Sequence, residues 1–360
     1  MARLSDNLIS YPVQLKQEIL SVLVRYPIWE LFRDKSLIIT GGTGFFGKWL
    51  LYTLAQANET QNLNLKVHVL SRNPERFISE HPYLGSQKGW VFFPGDIQTF
   101  SFPSGVRYDW CIHGAASASA KLNAEAPLQM FNEVFLGTRR CLEESEKANI
   151  KRFLFLSSGA VYGKQPENIV HVDESFLGGP NVLSLGSAYA EGKRAAEFLV
   201  SQIGRQTGIE TIIGRAFAFV GPFLPLDTHF AIGNFILSCL KNETIHIRGD
   251  GTPLRSYLYA SDLSGWLLTL MAFGKDQNAY NVGSEKEHSI RDLADCVSKV
   301  AKTHLNRTID VIVSGKPQSD KPREIYCPST QKIKKEFNVK EEITLSEAIE
   351  KTFNWHLKNY

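Results

Sequence analysis

The sequence predicts an α/β protein built on a doubly wound parallel sheet with a smaller second lobe, and three observations predict it. From Leu37 onward, short apolar runs alternate with stretches at helical spacing, the pattern of a parallel sheet covered on both faces. The first run, Ser36 to Thr40, opens into three glycines, Gly41, Gly44 and Gly47, and then into a helix-like stretch from Lys48 to Ala57. The chain has 360 residues, 43% of them hydrophobic, enough to fill the core of one large or two modest domains.

Bulk composition excludes several function classes. A formal net charge of +3 is too mild to imply nucleic acid, and no run of Lys and Arg is interleaved with aromatics. Five cysteines are an odd number without CxxC spacing, which argues against a disulfide framework and a zinc site and fits a reducing cytoplasm. No basic segment leads into a long apolar run, and nowhere do about eighteen apolar residues follow one another. A cytoplasmic protein with no membrane span is the expectation.

Taken in order, residues 1–35 form an extension in which Leu15, Ile19, Leu20, Val22, Leu23 and Val24 recur at roughly helical spacing. A helix packed on the body is expected there. The alternation then gives strand 37–40, helix 46–57, strands 66–71, 90–93 and 109–113, helix 126–148, strand 152–156, helix 187–206 and strand 210–215. After Gly221-Pro222 the rhythm breaks into a helix at 230–241, a short strand near 244–247 and a mixture from 286 to the end. The expected division is a nucleotide-binding domain from 36–220 plus about 253–282, and a smaller lobe from 221–252 plus 283–360.

The glycine turn carries the first chemistry. Gly41 permits a tight turn, Gly44 lets backbone N–H groups approach a pyrophosphate, and Gly47 lets the helix pack closely, while the helix N-terminus favours negative charge. A strand before it and a helix after it are the context this dinucleotide motif requires. A second signal is Tyr189 and Lys193, four apart, which share one helix face. An ammonium beside a phenol stabilises phenolate and is expected to lower the tyrosine toward working pH as an acid/base. The third is the buried strand Phe153 to Leu156, which ends in Ser157 and Ser158 where ligands of open parallel sheets lie. Ser158 is placed to bond the oxygen that Tyr189 protonates; a turn-capping role is the alternative.

Together these pieces resemble the extended short-chain dehydrogenase/reductases, specifically the nucleotide-sugar epimerase and dehydratase family, over about 36 to 355. Matching stretches include Thr40 to Gly47, Gly95-Asp96-Ile97, His113 to Ala116, the Ser-Ser-x-x-Val-Tyr-Gly run from Ser157, Tyr189 with Lys193, Arg215 with Gly221-Pro222, and Gly249 to Asp262. The resemblance implies a Rossmann-type fold with Thr43, Phe45 and Phe46 joining the three glycines around the cofactor. It puts Asp96 and Ile97 at the adenine, Ala115 and Ala116 along the cofactor, and Ser158, Tyr189 and Lys193 at the reacting carbon. Ser117, Gly159 and Ala160 would line the sugar, with Arg255 on the substrate diphosphate, a task suited to a planar fork of donors. Arg323 resembles the stretch that closes the sugar-nucleotide pocket. A homodimer through helices 126–148 and 187–205 is also implied.

Departures from the family pattern narrow the expected reaction. Dehydratases of this family carry acids just after the active-site hydroxyl, and the similar decarboxylases use a glutamate there; this chain has Gly159 and Ala160. Unless Glu174, Glu191 or another acid substitutes, hydride exchange at one carbon remains, as in a 4-ketoreductase or a 4-epimerase. The second strand ends in Ser71 and Arg72, a hydroxyl and a cation suited to a ribose 2′-phosphate, so NADP is expected over NAD and net reduction over epimerisation. Two family asparagines are replaced by Val134 and Ala218, which leaves Asn234 and Arg255 to contact the substrate phosphates. His113 and His229 have no partner at ligand spacing, and no metal is expected. The expectation is thus an NADP-dependent nucleotide-sugar 4-ketoreductase, with a 4-epimerase as the first alternative, a 4,6-dehydratase or decarboxylase behind it, and a non-catalytic NADPH sensor as a remote one.

Overall fold

The Leu-Ile-Ile run of β1 (Ser36–Thr40) is buried along its whole length, as a central parallel strand must be. The computed structural model describes residues 13–116, 120–228, 230–316 and 323–359; Ser117 and His229 lie outside the described residues. Helix α1 (Val13–Arg25) precedes β1; α2 (Phe45–Gln61), β2 (Lys66–Ser71), α3 (Pro74–Glu80), α4 (Pro82–Gly85), β3 (Trp90–Pro94) and β4 (Trp110–His113) follow. Next come α5 (Ala120–Glu125), α6 (Pro127–Lys147), β5 (Arg152–Ser158), α7 (Ala188–Thr207), β6 (Glu210–Ala216) and β7 (Phe219–Val220). The chain continues through α8 (Ala231–Leu240), β8 (Ile245–Ile247), β9 (Leu254–Ser256), β10 (Leu258–Tyr259), α9 (Ala260–Phe273) and β11 (Asn278–Val282). It ends with β12 (Glu287–Ser289), α10 (Ile290–Leu305), β13 (Val311–Val313), β14 (Ile325–Tyr326), α11 (Gln331–Phe337) and α12 (Leu345–Asn359).

Seven strands form the main sheet in the order β11-β6-β5-β4-β1-β2-β3, every pair parallel. Alternation along β1 sends Leu37 and Ile39 into the core shared with α1, α2 and α9, and Ile38 into the core with Val134 of α6 and Ala196 of α7. Strand order reverses beside β1, whose neighbours are β2 and β4, so a crevice opens at the carboxyl ends of β1 and β4. Gly41 and Gly114 close those two ends. Strand β11 joins the sheet edge from a stretch whose apolar pattern resolved no strand.

The extension is a helix packed on α2 and α9, with Leu15, Ile19 and Val22 fully buried. Leu20 and Val24, counted with that apolar face, instead turn outward; Val24 is 83% exposed. The helix is fastened by ions as well as packing. Arg25 pairs with the buried Asp262 of α9, whose other oxygen accepts from Glu342 N–H at 2.9 Å, and Glu18 accepts from the Tyr259 hydroxyl. Burial pushes the Asp262 carboxyl above the ordinary aspartate range, with Arg25 opposing it. Removing the cation should therefore expose the cost of a lone buried charge.

Arg25→Ala is expected to destabilise the fold by about 3 kcal/mol, read as a lower Tm in calorimetry. A carboxyl whose folded pKa lies above its unfolded value binds a proton more readily when folded, so lowering the pH stabilises it. The deficit of the variant should therefore shrink as pH falls through the raised Asp262 titration.

Three smaller sheets form beside the main one among the described residues. Strand β9 pairs antiparallel with β12 and parallel with β14, β8 pairs with β13, and α10 packs on α8 and α12. A capping box of Ser289 and Asp292 starts α10. Asn281 of β11 ties two neighbouring segments to the main sheet: its side-chain amide donates to the carbonyls of Val172 at 2.9 Å and Ser329 at 3.0 Å.

Candidate active site

At the end of β1, Gly41 adopts φ +75°, and a Cβ there would stand 2.5 Å from the Gly114 carbonyl carbon, so the first turn and the β4 loop touch backbone to backbone. A Cβ on Gly47 would lie 2.4 Å from the Gly41 carbonyl oxygen. Gly44 differs. Its Cβ would meet only the Gly41 oxygen, at 3.4 Å, and it caps α2 with no side-chain hydrogen bond and no acid in the first turn. The N–H groups that open α2 are thus left for an outside acceptor, as a dinucleotide pyrophosphate requires. The cradle fits that group.

Thr40 and His113 hold the two strand ends together. Ala115 N–H donates to Thr40 Oγ1 at 3.3 Å, Thr40 pairs with His113 Nδ1 at 2.6 Å, and His113 Nε2 pairs with Thr138 Oγ1 at 3.0 Å. Thr138 spends its own proton on the Val134 carbonyl at 2.7 Å, so His113 must donate through Nε2 and accept through Nδ1. Burial and the nearby Lys193 push His113 down to about 3, and it stays neutral. The histidine thus positions Ala115 beside the cradle.

Farther round the crevice, Ser71 is buried at the tip of β2, its hydroxyl accepting from Asn73 N–H at 3.2 Å. Arg72 is exposed and makes no hydrogen bond or ion pair among the described residues. Asp96 is exposed in a turn whose Oδ1 accepts from Gln98 N–H at 2.9 Å. Ile97 packs on α6 at Gly137, where a Cβ would come within 3.0 Å of it.

Beyond β4, the carboxyl end of β5 presents Ser158, and its hydroxyl accepts from Ala160 N–H at 3.2 Å, so it also caps the short turn Gly159–Tyr162. The same hydroxyl lies within bonding reach of two phenols, Tyr189 and Tyr326. Lys193 is buried; its Nζ donates to the Leu156 carbonyl at 2.7 Å and stands 5.9 Å from the Tyr189 ring centre. Ser158, Tyr189 and Lys193 are therefore together.

One expectation is corrected by the electrostatics. Burial pushes the Tyr189 phenol up rather than down, with only Ser158 opposing it, and burial brings Lys193 down to about 7 despite the pull of Glu197. Both groups pay for removal from water before either charge helps the other. Tyr189 rests protonated.

Gly159 and Ala160 follow Ser158 without a proton-carrying group. A Cβ on Gly159 would fall 2.7 Å from the Phe217 ring, which fills the space a side chain would need. Of the two acids that could substitute, Glu174 accepts from Asn281 N–H at 2.7 Å and is pushed up by burial, and Glu191 lies 3.9 Å from Arg194. Phe217 also packs on Tyr326, ring centres 4.8 Å apart. Tyr326 pairs in register with Arg255, whose guanidinium donates to Glu324 and to the Leu254 carbonyl at 2.8 Å. Arg323 donates to the Thr252 carbonyl at 2.6 Å, and so borders the same strand pair. Ala218 accepts from Leu258 N–H at 3.0 Å, and Asn234 is exposed on α8. Sequence reasoning missed Phe217, Tyr326 and Glu197; only Glu197 had a signal, its i+8 spacing from Tyr189 on one helix face.

The model of the NAD dependent epimerase/dehydratase family matches residues 37–283. The chain belongs to that family. Among curated members, UDP-glucuronic acid decarboxylase 6 of Arabidopsis thaliana is 29% identical over 296 residues, 79% of this chain and 80% of that protein. The fold recurs in the UDP-N-acetylglucosamine 4-epimerase of Methanobrevibacter ruminantium, with TM-score 0.76 and 22% identity over 91% of this chain and all of that one. It recurs again in the dTDP-glucose 4,6-dehydratase of Bacillus anthracis, with TM-score 0.74 and 20% identity over 91% of this chain and 97% of that one. Among the described residues of this epimerase/dehydratase-family chain, no three His, Cys, Asp or Glu cluster to hold a metal, and no helix is long and apolar enough to cross a membrane.

Proposed function

We propose that the chain is an NADPH-dependent reductase acting at C4 of a nucleotide-diphosphate 4-keto sugar, its 6-deoxy forms included. The observation that carries this reading is the end of β5: a serine facing a protonated tyrosine, followed by two residues that move no proton and by a ring that excludes an acid from the first of them. Dehydration or decarboxylation needs further proton transfers on the sugar. A single hydride exchange does not.

The dinucleotide supplies the hydride when bound, in the cradle of Gly41, Gly44 and Gly47. Thr43, Phe45, Phe46, Ala115 and Ala116 border it, and Asp96 and Ile97 stand where the adenine edge would lie. Tyr189 gives its proton to the C4 oxygen, Ser158 orients that oxygen, and Lys193 offsets the negative charge left on the phenol. A tyrosine held above its ordinary pKa suits the donating direction, which supports reduction. Arg255, Arg323 and Asn234 serve the substrate diphosphate, Gly159, Ala160 and Ala218 leave room for the sugar, and the lobe of 221–252 plus 283–360 is assigned to the sugar nucleotide. Ser117, outside the described residues, is retained as a substrate contact by resemblance. Exposed Leu128 and Phe198, on α6 and α7, support a homodimer through those helices.

The choice of NADPH rests on Arg72, an exposed cation beside Ser71. Arg72→Ala is expected to cut the preference for NADPH over NADH about 30-fold, the worth of about 2 kcal/mol for a charged hydrogen bond, read from the two cofactor affinities. The reaction itself is tested by following reduced nicotinamide with nucleotide 4-keto sugars. Cofactor consumed mole for mole with product supports the reductase; interconversion of nucleotide sugars bearing a C4 hydroxyl, with no net consumption, identifies a 4-epimerase, and no turnover of either substrate with cofactor bound identifies a sensor.

A further inference from the structure

Tyr189, Lys193 and Glu197 recur every four residues and so line one face of α7. The first two belong to the site proposed above, and the third is used by nothing in it. Yet Glu197 is the most heavily bonded carboxylate near the reacting groups. Ser157, next to Ser158, donates its hydroxyl to Glu197 Oε1 at 2.5 Å, and Arg215 of β6 donates to both carboxylate oxygens, Nη2 reaching Oε2 at 2.7 Å. Arg215 also donates to the Tyr162 hydroxyl at 2.9 Å, and Tyr162 donates to Asn281 Oδ1 at 2.8 Å. Asn281 in turn holds Val172 and Ser329. A half-buried carboxylate with this many donors keeps one position.

We propose that Glu197 is a positioning residue, a fixed counter-charge one helical turn below Lys193 that favours the ammonium form of the lysine where it faces Tyr189. The groups facing Lys193 define what Glu197 must overcome. From α7 come Tyr189 and Glu197 itself, from β4 the neutral His113, and from β5 the Leu156 carbonyl and the Phe155 ring, 4.7 Å from Nζ. Burial alone drives Lys193 toward the neutral amine, and Glu197 is the carboxylate that opposes it. Arg215 and Ser157 hold the carboxylate, and Arg215 screens part of its charge; what remains still favours the charged lysine, on which Glu197 acts and Arg215 has no resolved effect.

This inference rests on the site reading above, but its test does not depend on any substrate. Lysine-selective isotope labelling of the full chain, with the Lys193 signal assigned by its loss in Lys193→Arg, gives the midpoint of its titration by NMR. Glu197→Gln, which keeps the shape and an acceptor oxygen, is expected to lower that midpoint by about one unit. Ser157→Ala, which loosens the carboxylate and keeps its charge, should move it far less. If Glu197→Gln does not fold, Glu197→Asp carries the same test, with a smaller drop expected because the charge is withdrawn by one methylene. A folded variant whose Lys193 midpoint matches the wild type overturns the proposal. So does a Ser157→Ala shift equal to that of Glu197→Gln, because the effect would then be structural. Where a 4-keto sugar is turned over, the alkaline limb of kcat should move down with the midpoint while KM changes less than about twofold. Absence of turnover in the wild type counts against the reductase alone, and the titration still decides the role of Glu197.

Discussion

Replacing Tyr189 with Phe is expected to lower kcat about 1,000-fold while leaving NADPH affinity within a few-fold of wild type. The variant loses one hydroxyl and keeps a ring that packs with the α6 and α7 core, so fold and cradle should survive. On the proposed reading, what it loses is the proton donor, a role worth about 100- to 10,000-fold in general acid catalysis. Steady-state oxidation of NADPH measures the first quantity and fluorescence titration of the cofactor the second. Near-wild-type turnover would remove Tyr189 from the chemistry. The same site should show fold and rate moving apart with pH. Lys193 is held at about 7 in the folded chain against 10.5 as an ordinary lysine, so the unfolded chain binds more protons between those values. Stability should therefore rise with pH across that window, and the contribution is unfavourable below about 7. Turnover should fall over the same rise, because the ammonium is lost.

The architecture was legible because a central parallel strand announces itself. The middles of β1 and β5 are apolar without interruption and β2 is broken only by His68, and each ends within three residues of its expected boundary. The glycine cradle was legible for a related reason, since backbone contacts at 2.4–2.5 Å leave no alternative to glycine at Gly41 and Gly47. Less of the lobe could be read. Its strands β8, β9, β12 and β13 have three residues each, too few to display a period. Spacing found the pair Tyr189 and Lys193, but not its electrostatics. Local spacing sees the ammonium near the phenol and cannot see the burial that raises one and lowers the other. Phe217 and Tyr326 were invisible for a third reason: they meet Ser158 and Gly159 only through strand pairings across more than fifty residues.

The cradle offers a test in which packing and ligand binding separate. Gly47→Ala places a Cβ 2.4 Å from the Gly41 oxygen and from the Gly42 backbone, atoms that cannot swing aside as a side chain could. It is expected to destabilise the fold by about 1–3 kcal/mol and to abolish dinucleotide binding, because α2 must withdraw from the turn. Gly44→Ala meets only one oxygen at 3.4 Å, and its φ of −78° suits any residue, so stability should change by less than about 0.5 kcal/mol. On the proposed cofactor reading, its methyl group would nevertheless stand at the cap of α2, where the pyrophosphate approaches. Affinity for NADPH should fall by about tenfold or more, as a lost charge-assisted hydrogen bond would dictate. Calorimetric Tm and cofactor titration on the two variants give four numbers. A Gly44→Ala protein that keeps both its Tm and its affinity would mean that the phosphates bind somewhere other than the start of α2, and the cofactor site would have to be moved.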